Sequence, residues 1–85
     1  MLNKYRAEID KIDRKLVDLL SKRGKISKKI GIFKKEKGLE IHNLDRETEL
    51  ISNLEEIGVG KGLNKKYIKD VFQVILRESR RIQNG

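Results

Sequence analysis

The fold is decided by residues 9–34, which read IDKIDRKLVDLLSKRGKISKKIGIFK. Apolar side chains in and around this stretch recur at steps of three and four, a spacing that fits a helix and does not fit a strand. This apolar stripe, called the seam below, consists of Leu2, Tyr5, Ile9, Ile12, Leu16, Leu19, Ile26, Ile30 and Phe33. The pattern predicts one helix that runs to about Lys37. Gly38 is its natural stop, because glycine readily takes the left-handed conformation after a helix.

Two shorter helices are predicted after the long one. Asn43 is the expected cap of the second helix, which the glycines Gly58, Gly60 and Gly62 should break. Asn64 is the expected cap of the third helix, which has an apolar face from Ile68 to Ile82. Because the chain has only 85 residues, we expect a single domain over residues 1–85. The predicted fold class is therefore all-α, with one long and two shorter helices.

The long helix requires a partner to cover its seam. A helix of roughly 35 residues is about 50 Å long, whereas a compact globule of this size has a radius of gyration of only about 12 Å. The seam has a heptad-like rhythm, and the chain contains no second long helix that could pair with it. We therefore predict an intertwined homodimeric helical bundle.

Composition narrows the possible function without deciding it. The chain has no cysteine, which excludes a disulfide framework and a thiolate metal site. Met1 leads directly into polar sequence, so we predict no membrane span or membrane partner and a cytoplasmic location. The formal net charge of +8 is compatible with nucleic acid, an anionic membrane surface or a small polyanion as ligand. The placement of the charges has to choose between these ligands.

Polar side chains interrupt the apolar faces of all three predicted helices. In the long helix, Arg23 occupies a seam position, and Lys34 points within about 20° of it, roughly 16 Å further along the axis. Taken one at a time, such residues have ordinary structural explanations, such as a buried stem with the charge in water or a favourable charge at a helix end. Together they predict one polar pocket enclosed by the bundle. The interrupting residues of the second and third helices are Arg46, Glu47, Ser79 and Gln83.

The chemistry of these side chains points to an anionic ligand. Arginine, lysine, serine and glutamine can bind carboxylates and a neutral acceptor oxygen. The set contains no nucleophile paired with a base, and it contains no metal-binding cluster. His42, the only histidine, precedes the second helix in a surface loop. We therefore expect no metal.

The order of these residues along the chain resembles the all-helical chorismate mutases. The resemblance spans nearly the whole chain and preserves both order and spacing across three helices, which makes it more specific than any short motif. The matching positions are Arg6, Ile9-Asp10-x-Ile12-Asp13-x-x-Leu16, Leu19-Leu20, Arg23, Ile30-Gly31-x-x-Lys34, Asp45-Arg46-Glu47 and Glu78-Ser79-Arg80-x-Ile82-Gln83.

The resemblance implies an isomerase that converts chorismate to prephenate in phenylalanine and tyrosine biosynthesis. In that family two protomers intertwine through the long helix, and the Claisen rearrangement proceeds without a covalent intermediate or a cofactor. Such a reaction requires the substrate to be held in a compact conformer and the negative charge on the breaking ether oxygen to be stabilised. Preorganised cations and hydrogen-bond donors supply both.

The resemblance also implies a role for each polar residue. Arg23 and Arg46 of one subunit, with Arg6 of the other, would hold the two carboxylates of chorismate. Lys34 and Gln83 would face the ether oxygen. The remaining roles would be acceptance of the substrate hydroxyl by Glu47 and assistance at a carboxylate by Ser79. Asn43 stands where some relatives carry an aspartate near the hydroxyl, so it is a candidate substrate contact as well as a helix cap.

Two alternatives remain open from the sequence. One is a pyruvate-eliminating lyase that acts on isochorismate, because such a lyase has a similar fold and a similar cationic pocket. A basic helical dimer that binds nucleic acid would explain the net charge and the runs Lys28-Lys29, Lys34-Lys35 and Arg80-Arg81. The chain has only two tyrosines and two phenylalanines for base stacking, so we favour the mutase and predict no nucleic-acid partner.

Overall fold

The chain forms three α-helices and no strand in a computed structural model that describes residues 1–85. Helix α1 spans Leu2–Lys37, α2 spans Leu44–Gly60 and α3 spans Lys65–Gln83. One helix is long and two are shorter, which confirms the predicted fold class and helix count.

Capping residues define most of the helix ends. Gly38 ends α1 in the left-handed conformation, with φ 67°, and its N–H donates to the carbonyls of Lys34 and Lys35. The Asn43 side chain accepts a hydrogen bond from the Arg46 N–H at 3.0 Å, and the Asn64 side chain accepts one from the Tyr67 N–H at 3.1 Å. The predicted stop at Gly38 and both predicted asparagine caps are confirmed.

The prediction that Gly58 breaks α2 is wrong, because the helix continues to Gly60. Gly58 is buried, and a Cβ placed there would lie 2.7 Å from Cγ1 of Ile68. This glycine therefore serves the close packing of α2 on α3 and not a turn. The chain turns only after Gly60, and Gly62 takes a positive φ of 83°.

Helix α3 is the element that holds the fold together. It packs against both α1 and α2, whereas α1 and α2 do not pack against each other. The result is an elongated molecule of 55 × 24 × 15 Å, with a radius of gyration of 15.7 Å. Among the hydrophobic side chains only Ile68 and Leu76 are buried. A single chain therefore has a thin core.

The seam is uncovered in the single chain. Ile9 and Ile12 are each 57% exposed, and Leu16 is 53% exposed. So many apolar side chains in one exposed stripe are typical of an interaction surface. None of the three helices combines the length and the apolar composition that a membrane crossing requires.

Gly31 sets the distance between α1 and α3. A Cβ placed on this buried residue would lie 2.7 Å from both the Cα and the carbonyl oxygen of Gln83. Backbone atoms cannot move aside as the end of a flexible side chain can, so only glycine allows this approach. The contact brings the last turn of α3, which carries Gln83, against the part of α1 that carries Lys34.

We predict that Gly31→Ala lowers the free energy of unfolding by about 1–3 kcal/mol, because the added methyl group overpacks the α1–α3 contact. Gly24→Ala is the matched control on the same helix, since its Cβ would meet only Ile82 Cδ1 at 3.5 Å. That variant should be unchanged or slightly more stable, because alanine favours a helix interior. Thermal unfolding of both variants measures the difference, and equal melting temperatures would contradict the close approach.

Candidate active site

A cavity of about 470 Å³ lies between the three helices and the loop that joins α1 to α2. Its walls combine apolar side chains, such as Ile30 and Leu76, with polar ones. The predicted site residues that line it are Arg23, Lys34, Asn43, Arg46, Glu47, Ser79 and Gln83. Residues far apart in sequence, on three different helices, are thus brought to one place.

A second, larger space lies between α1 and α3. This groove of about 900 Å³ is lined by apolar residues such as Val17, Leu20 and Val74, with charged side chains at its edge. Of the predicted site residues it includes only Arg23 and Ser79. We therefore place the candidate active site in the smaller space, called the three-helix cavity below.

Arg23 is held in the three-helix cavity by Ser79. One guanidinium nitrogen of Arg23, Nη1, donates a hydrogen bond to the Ser79 hydroxyl oxygen. The buried Ser79 hydroxyl in turn donates to the carbonyl oxygen of Ile75, one turn earlier in α3, at 3.1 Å. The hydroxyl proton is used by Ile75, so Ser79 acts here as an acceptor that orients Arg23.

Lys34 is anchored by the loop between α1 and α2. Its Nζ donates a hydrogen bond to the carbonyl oxygen of Ile41 at 3.0 Å. An ammonium group has three donors, so two of them remain for a ligand in the cavity. The loop thereby fixes the cation without using up its capacity to bind.

Gln83 has a buried amide oxygen with no hydrogen-bond partner. Leaving a buried polar atom unpaired costs about 1–3 kcal/mol, and a protein retains such an atom where a ligand or another role requires it. Gln83, Lys34 and Arg23 all contribute to the lining of the cavity. The unpaired amide of Gln83 makes this residue a candidate contact for a polar ligand.

Glu47 has two basic neighbours. Nη1 of Arg80 donates to Oε1 of Glu47 at 2.5 Å, and Nε2 of His42 lies 3.8 Å from Oε2. Arg80 belongs to a basic run and to the positions that carry the family resemblance, but the sequence did not predict its place in the cavity lining. The available signal was its register, because Arg80 lies four residues after Leu76 and three before Gln83 and therefore shares their face of α3.

The adjacent arginine, Arg81, points elsewhere. It forms an ion pair with Glu78, one turn back on α3, and both side chains are largely exposed. The hydrogen bond from Arg81 lowers the pKa of the Glu78 carboxyl, and the same bond raises the pKa of Arg81. This pair is outside the three-helix cavity and, being exposed, adds little stability.

Arg46 and Asn43 lie at the exposed rim of the cavity. The amide oxygen of Asn43 is engaged by the helix cap, whereas the guanidinium of Arg46 has no intramolecular hydrogen bond. Arg46 is therefore a free cation at the entrance, well placed to meet an anion. No group of three or more histidine, cysteine, aspartate or glutamate side chains in the structure is arranged to hold a metal ion.

The family model described as chorismate mutase type II matches residues 5–84. The chain belongs to the chorismate mutase type II family.

Proteins similar to this chain carry the family domain as part of a longer protein. The bifunctional chorismate mutase/prephenate dehydratase of Buchnera aphidicola subsp. Baizongia pistaciae is 36% identical over 75 residues, which cover 88% of this chain and 20% of that protein. The corresponding protein of Aquifex aeolicus is 37% identical over 71 residues, or 84% of this chain and 18% of that protein. The T-protein of Enterobacter agglomerans is 31% identical over 83 residues, which cover 98% of this chain and 22% of that protein. The chain thus spans about a fifth of the length of the curated relatives that it matches.

In this member of the chorismate mutase family, every predicted site residue except Arg6 lines the cavity. It lies near the start of α1 and is exposed. Arg6 and Arg23 are seventeen residues apart on one helix, which corresponds to about 25 Å along its axis. Arg6 therefore does not reach the cavity of its own chain.

Proposed function

We propose that residues 1–85 form one chorismate mutase domain that converts chorismate to prephenate for phenylalanine and tyrosine biosynthesis in the cytoplasm. The observation that carries the proposal is the three-helix cavity, which is lined by Lys34, by Gln83 with its unpartnered amide oxygen, and by Arg23, which Ser79 orients. The family match supports the same reaction class.

The two carboxylates of chorismate would be held by arginines. Arg23 is oriented by Ser79, so little conformational entropy is lost when a carboxylate binds to it. Arg46 at the rim is free to close on the second carboxylate. Fixing both ends of the substrate selects the compact conformer in which the reacting carbon atoms approach each other.

Lys34 and Gln83 would stabilise the ether oxygen as its bond breaks. Negative charge develops on this oxygen only in the transition state, so a nearby ammonium group lowers the barrier more than it tightens substrate binding. A half-turn of the Gln83 amide would direct its NH₂ group, a donor, at the same oxygen. The rearrangement is unimolecular and needs no nucleophile, which fits the residues present.

We further propose that a second copy of the chain supplies Arg6. The exposed seam provides the surface on which two copies of α1 would pack, and an isologous pairing would bring the start of one α1 to the cavity of the other chain. The dimer would then bury the apolar stripe and complete the substrate site in one step.

The direct experiment is to incubate the purified chain with chorismate and identify the product. The proposal predicts that chorismate disappears and prephenate forms without free pyruvate. Release of pyruvate from isochorismate, with chorismate unchanged, would show the lyase instead. Lys34 and Arg80 belong to two of the three basic runs, and both line the cavity, where each already has a hydrogen-bond partner. These two cations are less available to nucleic acid, which disfavours the nucleic-acid alternative.

For Lys34→Ala we predict a fall in kcat of about 100- to 1,000-fold with a much smaller rise in KM, because the lost charge acts mainly in the transition state. Lys66→Ala is the control, since Lys66 pairs only with the exposed Asp70 on α3 and lies outside the three-helix cavity. It should leave both constants unchanged. A rise in KM with kcat preserved would contradict the assignment of Lys34 to the ether oxygen.

Mixing two inactive variants tests whether Arg6 crosses between chains. Arg6→Ala and Arg23→Ala should each abolish turnover and leave a folded dimer. In a mixed dimer, the site that retains Arg23 would receive Arg6 from the other chain and would be intact. Refolding the two variants together should restore about a quarter of wild-type activity per chain. No restoration, despite mixed dimers detected by mass spectrometry, would show that Arg6 and Arg23 do not serve one site across the interface.

A further inference from the structure

We propose that Arg80 is a positioning residue that orients Glu47 and offsets its charge, so that Glu47 can accept the substrate hydroxyl beside a dianionic substrate. The inference rests on the proposed function, in which Glu47 receives that hydroxyl. The inference goes beyond the proposed function because the family resemblance implies no role for Arg80.

The Arg80–Glu47 pair joins two helices at the wall of the three-helix cavity. Glu47 lies in the first turn of α2 and Arg80 in the last turns of α3, and both side chains line the three-helix cavity. Their contact is the only ion pair that joins two helices. The Arg80 side chain is 29% exposed and the Glu47 side chain is 18% exposed. Water therefore screens this pair less than it screens the surface pairs on α3.

The Glu47 carboxylate has hydrogen-bonding capacity left beside its contact with Arg80. An ionised carboxylate has about four acceptor positions on its two oxygens. Arg80 occupies one of them on Oε1, and the 3.8 Å between His42 Nε2 and Oε2 is too long for a hydrogen bond. Oε2 therefore remains available, and Glu47 can accept a substrate hydroxyl while Arg80 holds it in place.

Arg80 also offsets the negative charge of Glu47. Chorismate carries two carboxylates, and Glu47 would place a third negative charge in the same small cavity. Like charges a few Å apart repel strongly where water is partly excluded. Arg80 offsets this charge at its source, which leaves Arg23, Arg46 and Lys34 free for the substrate.

A double-mutant cycle tests this role through kcat and KM for chorismate. The variants are Arg80→Met, Glu47→Gln and the double variant, with Lys66→Met as a control that removes an exposed cation from the same helix. We expect Arg80→Met to lower kcat/KM about tenfold, mainly through KM, because an uncompensated Glu47 repels the substrate. Lys66→Met should match the wild type.

The double variant carries the decisive result. Once Glu47 is neutral, losing Arg80 should cost little, so the combined loss should be at least about threefold smaller than the product of the two single losses. Arg80→Lys keeps the charge and should recover part of the activity. If Arg80→Met does not fold, the same cycle is measured with Arg80→Gln, which also removes the charge.

Three results would overturn the inference in distinguishable ways. Multiplicative losses would mean that Arg80 acts on the substrate without Glu47. Wild-type kcat and KM in Arg80→Met, with only a lower melting temperature, would reduce the pair to a structural link between α2 and α3. A wild-type chain that does not turn over chorismate would remove the proposed function and this inference together, whereas the first two results leave the proposed function intact.

Discussion

The contact between α1 and α3 at Gly31 is the constraint on which the candidate site depends. Because α1 and α2 do not pack against each other, α3 alone determines how the residues of α1 face those of α2. The backbone of Gln83 lies so close to Gly31 that a single methyl group would separate the helices. This approach places Gln83 near Lys34 and lets Ser79 accept a hydrogen bond from Arg23. The polar cavity thus follows from one tight backbone contact, although its polar side chains lie on all three helices.

The thin core explains why a second copy of the chain would stabilise the fold. With only Ile68 and Leu76 buried among the hydrophobic side chains, an isolated chain has little apolar burial to offset the conformational entropy of ordering its residues. The exposed seam would supply that burial if two copies of α1 packed together. In the proposed dimer the surface that stabilises the protein also delivers Arg6, so folding and activity would depend on the same interface.

The apolar spacing and the polar interruptions were sufficient to predict much of this structure from the sequence. Three helices, the stop at Gly38 and the caps at Asn43 and Asn64 follow from local patterns, because local backbone chemistry determines them. The prediction that Gly58 breaks α2 failed because this glycine allows a close contact with Ile68. Ile68 lies on another helix, so the sequence around Gly58 gives no sign of this contact. Arg80 was missed for a related reason. An arginine beside another arginine reads as a solvated run until its register with Leu76 and Gln83 is compared, and its partner Glu47 lies 33 residues away.

A crystal structure of the chain with a bicyclic dicarboxylate that mimics the rearrangement transition state tests the proposed site most directly. We expect this ligand in the three-helix cavity, with its carboxylates on Arg23 and Arg46 and its ether oxygen facing Lys34 and Gln83. Arg6 of a second copy should lie within hydrogen-bond distance of the ligand. A ligand bound in the larger groove between α1 and α3, or a cavity ligand that no second copy approaches, would contradict the proposed site.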